Sequence, residues 1–526
     1  MSRVTSGIRF FSRPVPAAIL VTGAAFLFAA AATAAHGFPP PLEHDEFSYI
    51  LGAETFKSGH LTNPTHPMWR HFETFHVLQQ PTYNSKYPPA NALVIAAGWA
   101  VTGRPIAGVW LSFAFMCVAM LWLLRAWLGP RWGLGISLAF TSWIALSYWS
   151  YSYWGGALAA GAGALVLGGV YRIVRGQGSA RNAIVLGLGL VLLANSRPYE
   201  GLLLAIPVLA VLGRWLWRNR GRAKSVLLSL GAVGVAGLFC MGTYNRAVTG
   251  SWHKLPYTTY QQARGGAPLF IWQQPYHIAP NPDLALRSFM AWEDSTYRAA
   301  RTVRGRTDYA TSVVNEFGTL VVPLSLLLPL LLIPIAMRSW WIRFAVITTV
   351  WTIAGMSLPS YFFPHYAAPL VGLILVVYGD CLRWLSRLHI GRTRAGHFLA
   401  AAIVCLWFLV GSPLATWNFM TSSDASSSGG ISAEWPRQRQ FIADTLSQHD
   451  QRNVVIVRYG SGHGAGNEWV YNAATIDASP VVWARDLGDA GNQPLVDYFR
   501  NRAVWIVEVN EDTGPYTVRP YLSHAP

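Results

Sequence analysis

The sequence predicts a mostly α-helical, polytopic membrane protein with about 11 transmembrane helices and a small soluble α/β domain at its C-terminal end. Of the 526 residues, 52% are hydrophobic and only 12% are charged, whereas an average soluble domain carries about 25% charged residues. Several apolar runs reach the roughly 17 to 25 residues with which a helix crosses a bilayer. Beyond residue 435, short apolar runs alternate with polar helical stretches, a pattern typical of a small α/β fold.

The apolar runs place the membrane helices within residues 1–417. The first run is long for the core of a signal peptide, so a retained helix is preferred to a cleaved leader. The expected helices are Val15–Ala35, Pro105–Leu124, Trp132–Trp149, Gly155–Tyr171, Ala183–Asn195, Gly201–Trp217, Ser225–Tyr244, Gly318–Met337, Trp340–Leu358, Ala367–Arg383 and Phe398–Trp417.

The distribution of positive charge predicts the orientation of these helices. The formal net charge is +16, and cytoplasmic loops of membrane proteins concentrate Lys and Arg. With the N-terminus in the cytoplasm, the short inner segments hold nineteen basic residues and the short outer turns hold only Arg197. This indicates a bacterial-type inner membrane protein with outer loops over 36–104 and 245–317 and an extracytoplasmic C-terminal part. The positive charge is thereby explained, and no nucleic-acid partner is expected.

The first outer loop carries a dense group of titratable residues, Glu43-His44-Asp45-Glu46, shortly after the first helix. Carboxylates and an imidazole beside a membrane can act as a general base or as metal ligands. The alternative is structural, since acidic residues stabilise a helix N-terminus and the segment 47–56 could form that helix. The residues alone leave both interpretations open. Four further histidines of the loop, His60, His66, His71 and His76, show no recognisable ligand spacing.

The order of elements resembles a known family. An Asp-Glu pair follows the first helix, Pro88-Pro89 open a short apolar segment over 90–101 that is expected to lie in the membrane interface, and many alternating spans follow. Over residues 15–417 this resembles the GT-C superfamily of glycosyltransferases. The likeness is strongest to the branch of protein O-mannosyltransferases, aminoarabinose transferases of lipid A and RgtA/B/C/D-like transferases.

The resemblance implies an enzyme of cell-envelope glycan biosynthesis. Such an enzyme is a hexosyl- or pentosyltransferase that moves a sugar from a polyprenyl-phosphate donor to a glycan, lipid or protein acceptor outside the cytoplasm. By the same resemblance, Asp45 occupies the catalytic acidic position and Glu46 is its companion. The pair would also be the ligands of a divalent cation, Mg²⁺ or Mn²⁺, if one is used. The part played by His44 is left open.

Groups that could hold the donor form a second set. The segment 86–89 resembles the family's Lys/aromatic-Pro-Pro element after the first loop, and the segment 364–369 resembles a family element near the carrier phosphate. A departing phosphate needs cations or hydrogen-bond donors. The structural alternatives are that Arg197 extends to the lipid headgroups or pairs with Glu200, that Lys86 anchors the loop at the membrane interface, and that His365 caps a helix or packs against its neighbours. The predicted phosphate-binding residues are Lys86, Arg197, His365 and Tyr366, and the predicted substrate-binding residues are His44, Tyr87, Glu200, Trp252 and Tyr257.

The C-terminal part is predicted to be a separate domain. Residues 418–435 form a Ser/Gly-rich linker, and residues 436–526 form the α/β domain. Helices are expected over 436–449 and 493–501, and strands over 453–459, 479–484 and 503–509. A glycine-rich loop over 460–466 follows the first strand, but no helix of suitable pattern follows it. No nucleotide cofactor is therefore expected.

Two other function classes compete with the transferase. A lipid-linked sugar flippase or transporter favours inverted repeats and charges near the middle of the membrane, and neither is visible in the sequence. A non-catalytic envelope assembly protein would use the C-terminal domain as its interaction module. The concentration of polar residues in the outer loops favours the enzyme.

Overall fold

The computed structural model describes residues 10–145, 147–177, 179–276, 283–411, 434–448, 451–461, 463–464, 466–510 and 514–521. The chain forms two compact units. Unit 1 comprises Met1–Phe38, Ile106–Met241 and Thr302–Ser422, and unit 2 comprises Pro39–Pro105, Gly242–Arg301 and Ser423–Pro526.

The helices are α1 (Pro14–His36), α2 (His44–Lys57), α3 (Pro89–Thr102), α4 (Ile106–Leu128), α5 (Pro130–Ile144), α6 (Tyr148–Tyr151), α7 (Gly156–Arg172), α8 (Ala180–Ala194), α9 (Pro198–Arg218), α10 (Arg220–Thr249), α11 (Pro256–Arg264), α12 (Leu284–Ala300), α13 (Val303–Ser312), α14 (Gly318–Val321), α15 (Ile333–Ala336), α16 (Trp340–Met356), α17 (Val371–Leu385), α18 (Ala395–Gly411), α19 (Glu434–Ser447) and α20 (Asp489–Tyr498). The strands are β1 (Asn63–Pro64), β2 (Val77–Leu78), β3 (Thr82–Ser85), β4 (Asn453–Tyr459), β5 (Val481–Arg485), β6 (Ala503–Asn510) and β7 (Gly514–Pro520).

Unit 1 is a bundle of apolar helices. Within the described residues, six helices are long and apolar enough to cross a membrane, and a bent pair raises this number to seven. The six are Pro14–Ala35, Ile106–Leu128, Gly156–Gly176, Pro198–Arg218, Arg220–Thr249 and Pro364–Leu385, and the pair is Leu324–Ala336 with Trp340–Met356. The chain is thus a multi-pass membrane protein with a mostly helical fold. The predicted count of 11 spans stays a prediction, because α5 and α8 have only 15 residues each and α18 has 17, the lower limit of a span.

The bent pair corrects one sequence expectation. A single helix was expected over 318–337, but the chain forms α14, two 3₁₀ turns and α15 there. Pro323, Pro329 and Pro334 explain the interruption, since proline lacks the N–H that a helix interior needs and clashes with the preceding turn. The resulting element bends by 117° against α16. The expected helix over 132–149 likewise divides into α5 and the single turn α6, and Leu146 between them lies outside the described residues.

Unit 2 contains the two outer loops and the C-terminal part. In the first loop, α2 is followed by a small antiparallel sheet of order β1-β3-β2 and then by α3. The second loop supplies α11 and α12. The apolar core joins residues of the first loop, such as Leu51 and Phe72, to the buried strands β4 and β5.

The C-terminal sheet has the order β5-β4-β6-β7. The first three strands are parallel, with Val454 beside Val482 and Val504, and β7 is antiparallel to β6. The helix–strand alternation agrees with the sequence prediction, although element ends move by several residues and β7 was not predicted. Most of the predicted linker over 418–435 lies outside the described residues. The boundary of a separate 436–526 domain stays a prediction.

Candidate active site

The acidic cluster of the first loop lies at the N-terminus of α2. Glu43 is the N-cap, and the pair Glu43 and Glu46 forms a reciprocal capping box. Glu46 Oε2 accepts hydrogen bonds from the backbone N–H groups of Leu42 at 2.7 Å and Glu43 at 3.2 Å. Such a box satisfies N–H groups that would otherwise lack partners. The structural interpretation of the acidic pair is therefore correct for Glu46, whose carboxylate is buried in the cap.

Asp45 lies at the second position of the same helix, and a different set of groups surrounds its carboxylate. The phenol of Tyr87 donates a hydrogen bond to Oδ1. The ring nitrogens His44 Nδ1 and His76 Nε2 lie 3.2 Å and 3.8 Å from Oδ2. The helix dipole at this position favours the ionised carboxylate.

His76 reaches Asp45 through an unusual backbone conformation. Its φ angle of 62° lies in the left-handed region, which non-glycine residues seldom adopt. Three hydrogen bonds hold its backbone there: its N–H donates to the Tyr260 hydroxyl at 3.0 Å, and its carbonyl accepts from Ser48 Oγ at 2.7 Å and from the Lys86 N–H at 3.1 Å. Burial, together with the positive Lys86, lowers the pKa of His76 well below its usual value. The imidazole is therefore neutral near pH 7 and able to act as a metal ligand.

Lys86 is a buried ammonium enclosed by aromatic rings. Its Nζ lies 5.2, 4.9 and 4.8 Å from the ring centroids of Tyr87, Tyr257 and Tyr260. A cation at this distance is attracted to the electron-rich ring face. Burial lowers the pKa of Lys86 to about 8, although the negative charges of Asp45 and Glu293 act in the opposite direction. Lys86 is thus a charged group whose proton is easily lost.

Arg264 and Glu293 belong to the same cluster and were not predicted. Arg264 Nη1 donates to the Tyr260 hydroxyl, and the guanidinium lies over the rings of Phe75 and Phe289. Its Nε and Nη2 are buried and have no hydrogen-bond partner among the described residues. Burial raises the pKa of Glu293, and the positive Arg264 and Lys86 oppose that rise. Two buried N–H donors of a cation are suited to receive an anion.

His44, Asp45 and His76 form a candidate cation site. One ligand atom from each can be chosen so that all three lie within 4.8 Å of one another. Imidazole and carboxylate are ligands for divalent metals of the first transition series, and His76 Nδ1 is buried without a hydrogen-bond partner in the described part of the chain. The donor set therefore fits a divalent cation. The predicted ligand pair of Asp45 and Glu46 differs from this group, in which two histidines accompany Asp45.

The remaining predicted residues of unit 1 form a second group. The Arg197 guanidinium lies over the Tyr366 ring at 4.5 Å. His365 is buried among aromatic rings, with its Nδ1 3.3 Å from the Tyr148 hydroxyl and its ring centroid 4.7 Å from that of Trp154. Glu200 is buried in the first turn of α9 and interacts electrostatically with Arg197. The structure thus groups the predicted Arg197, Glu200, His365 and Tyr366.

Trp252, a predicted substrate-binding residue in unit 2, packs on the end of α10. Its ring would lie 2.4 Å from a Cβ atom at Gly242, and its carbonyl accepts from the Asn245 side chain at 3.3 Å. The indole remains 43% exposed. Tyr257, by contrast, belongs to the aromatic enclosure of Lys86.

The C-terminal part contacts the loop that carries His76. Arg485 at the end of β5 donates from Nη2 and Nε to the Glu73 carbonyl at 2.7 and 3.1 Å. The same guanidinium pairs with Glu468 at 2.5 Å and with Asp283 of the second loop at 2.6 Å. Because all of these side chains are buried, Arg485 joins three separate segments of unit 2.

No protein-family model matches the sequence, and no curated protein matches it. Among solved structures, the fold is similar to ArnT from Cupriavidus metallidurans bound to undecaprenyl phosphate, with 13% identity over 94% of this chain and 93% of that chain and a TM-score of 0.49. It is also similar to the Archaeoglobus fulgidus oligosaccharyltransferase in complex with Zn and sulfate, with 10% identity over 92% and 68% of the two chains and a TM-score of 0.48. Both of these solved proteins are GT-C superfamily members.

Proposed function

We propose that this chain is an integral membrane glycosyltransferase that moves a sugar from a polyprenyl-phosphate donor to a hydroxyl group of an extracytoplasmic acceptor. One observation carries the proposal: the cluster at the N-terminus of α2 places a carboxylate beside two imidazoles, a phenol and a buried ammonium, and the buried guanidinium of Arg264 interacts with His76 and Lys86 of this cluster. Sugar transfer from a phosphate carrier needs a base for the acceptor and positive charge for the leaving group. The cluster supplies both kinds of group.

Asp45 is the proposed base. Its position at a helix N-terminus favours the ionised carboxylate, and the hydrogen bond from Tyr87 to Oδ1 orients it. Oδ1 and Oδ2 have further lone pairs that can accept a proton from an acceptor hydroxyl. Glu46 acts as the companion that holds the start of α2, since its Oε2 is engaged in the cap.

Lys86 and Arg264 are the proposed partners of the donor phosphate. Lys86 is 4% exposed and offers a point charge within its three tyrosine rings. Arg264 offers the buried Nε–H and Nη2–H. A guanidinium binds phosphate oxygens in a bidentate manner, so the two cations together can bind a sugar phosphodiester and later its phosphomonoester product.

The reaction then balances without a further reactant. The acceptor oxygen forms a bond to the anomeric carbon of the sugar, and the bond between that carbon and the phosphate oxygen breaks. The proton of the acceptor hydroxyl passes to Asp45, and the electron pair of the broken bond leaves with the polyprenyl phosphate. Lys86 and Arg264 stabilise the additional negative charge on the leaving phosphate.

A divalent cation, when bound, would be held by His44, Asp45 and His76 and would supply positive charge for the leaving phosphate. Tyr87 and Tyr257 present ring surfaces to the sugar beside Lys86, as the sequence analysis expects for substrate-binding residues. Arg197, His365 and Tyr366 are proposed as a further set of carrier-phosphate ligands, with Glu200 beside them.

The test measures transfer from labelled polyprenyl-phosphate hexoses and pentoses to membrane glycan, with wild-type protein and Asp45→Asn reconstituted side by side. Loss of a general base costs about 10²- to 10⁴-fold, so Asp45→Asn should lower kcat/KM by at least about 100-fold. The matched control is Asp444→Asn, which changes an exposed carboxylate of α19 in the same unit. Equal activity of the two variants would refute the role of Asp45, and donor that crosses the bilayer intact would favour the flippase.

A further inference from the structure

Unit 1 contains a cavity of about 890 Å³ at one end of its helical bundle. It lies where α4 and α7 end and where α8 and α10 begin, and Pro14, the first residue of α1, also lines it. The arginines of the wall are Arg125, Arg172, Arg175, Arg181 and Arg222. Among the described residues that line the cavity, none carries a carboxylate.

Two of these arginines are held firmly in the wall. Arg172 donates to the carbonyls of Trp122 at 2.7 Å and Gly168 at 3.1 Å, and its guanidinium lies 3.6 Å from the Trp122 ring centroid. Arg125 donates to the Ser12 carbonyl at 2.6 Å. These hydrogen bonds orient the cations without neutralising them.

The other three arginines extend into the same space. Arg175, Arg181 and Arg222 have exposed side chains, and within the described part of the chain none of them forms an ion pair with Asp or Glu. Five like charges around one cavity repel one another unless an anion lies between them. The N-terminal N–H groups of α8 and α10 point to the same end of the bundle, and their dipoles also favour negative charge.

The walls of the cavity indicate the kind of anion. Trp122 and Tyr171 are amphipathic aromatic residues of the type that lies at the headgroup level of a bilayer. The helices that end here belong to the apolar, membrane-crossing set. Basic pockets between membrane helices on the cytoplasmic side bind acidic lipid headgroups, and the positive-charge distribution predicts that this end of the bundle is cytoplasmic.

We propose that this cavity binds the phosphate headgroup of an acidic phospholipid of the inner leaflet. The site lies in unit 1 and involves none of the residues assigned to sugar transfer, so it is independent of the proposed enzymatic function. The arginines of the wall bind the phosphate oxygens, and the aromatic residues contact the glycerol and the upper part of the acyl chains.

The experiment is a titration of the purified full-length protein with phosphatidylglycerol in detergent, with bound lipid counted by native mass spectrometry. The test variant is Arg175→Gln/Arg181→Gln, and the matched control is Arg214→Gln/Arg218→Gln. The control removes the same charge from exposed arginines of α9 that do not line the cavity. Each arginine near an acidic headgroup strengthens binding by roughly a factor of five, so the test variant should bind phosphatidylglycerol about 30-fold more weakly than the wild type. The control variant should bind it as the wild type does.

Two further arms identify the source of the phosphate. Phosphatidylcholine should bind far more weakly than phosphatidylglycerol, and inorganic phosphate at millimolar concentration should not displace the lipid. Equal weakening in the test and control variants would overturn the proposal, because it would indicate general attraction to charge. Displacement by inorganic phosphate would also overturn it, since the cavity would then be a site for a soluble anion. Unfolding temperatures without lipid establish that both variants are folded.

Discussion

The enclosure of Lys86 makes a quantitative prediction about the pH dependence of transfer. Burial lowers the pKa of this ammonium from 10.5 to about 8, so its charge is lost within the range where an enzyme can be assayed. Lys86 is proposed to bind the donor phosphate as a cation. Raising the pH through 8 should therefore weaken donor binding by the free enzyme.

The size of the effect follows from the titration of a single group. With a pKa of about 8, Lys86 is about 90% charged at pH 7 and about 10% charged at pH 9. Because kcat/KM reports the groups of the free enzyme, kcat/KM for the donor should fall about tenfold for each pH unit above 8. The donor phosphodiester does not titrate in this range, so the fall belongs to the protein.

The assay measures initial rates at low donor concentration between pH 6.5 and 9.5 for wild type, Lys86→Arg and Lys86→Met. Arginine keeps its charge over this whole range, so Lys86→Arg should lose the alkaline fall even if its rate at pH 7 is reduced. Lys86→Met should be slow at every pH and show no fall near 8. An alkaline fall that persists unchanged in Lys86→Arg, or a wild-type profile that is flat to pH 9.5, would refute the reasoning.

Three other predictions follow from unit 2. Arg485→Met leaves Glu468 and Asp283 buried without their cation and should destabilise the unit by about 3–5 kcal/mol. Thermal unfolding measures this loss of stability. The control is Arg519→Met, which removes an exposed partner of Glu508 and should change stability by less than about 1 kcal/mol. Glu46→Gln keeps an oxygen that can accept the two cap hydrogen bonds, so the kcat/KM of this variant should stay within about tenfold of the wild-type value. A loss of kcat/KM as large as that of Asp45→Asn would contradict the capping role. His76→Gln should lower the affinity for added Zn²⁺ or Mn²⁺ by at least about tenfold, as measured by isothermal titration calorimetry. The control His60→Gln changes an exposed histidine and should leave the affinity unchanged. Unchanged binding in His76→Gln would refute the candidate cation site.

Local sequence patterns predicted the secondary-structure elements whose formation depends on their own segment of the chain. Apolar runs predicted most of the helices, because the burial of an apolar segment depends on its own composition. A helix N-terminus was one of the two interpretations that the acidic residues before Phe47 left open, and α2 begins at His44. The interrupted segment over 318–337 was the exception, since its three prolines stand within a run that is otherwise apolar enough to form a helix.

The partners of Asp45 could not be obtained in the same way. His76 is 31 residues away along the chain and reaches Asp45 through its left-handed backbone and the pairing of β2 with β3. No periodic pattern marks such a contact, and the spacing of the loop histidines gave no indication of it. Arg264 and Glu293 lie in the second loop, where the sequence shows only an abundance of aromatic and amide residues. Lys86 was predicted because the segment 86–89 resembles a family element, but its tyrosine enclosure depends on the tertiary fold.

The central claim is that a bond between sugar and phosphate is broken at the Asp45 cluster. The most direct measurement follows the carrier itself by ³¹P NMR in vesicles that contain the protein, a polyprenyl-phosphate sugar and an acceptor. We expect the phosphodiester resonance to be replaced by that of a phosphomonoester, with one polyprenyl phosphate formed for each sugar transferred, and we expect Asp45→Asn to abolish the change. A phosphodiester that persists while the donor moves between the leaflets would contradict sugar transfer at this cluster.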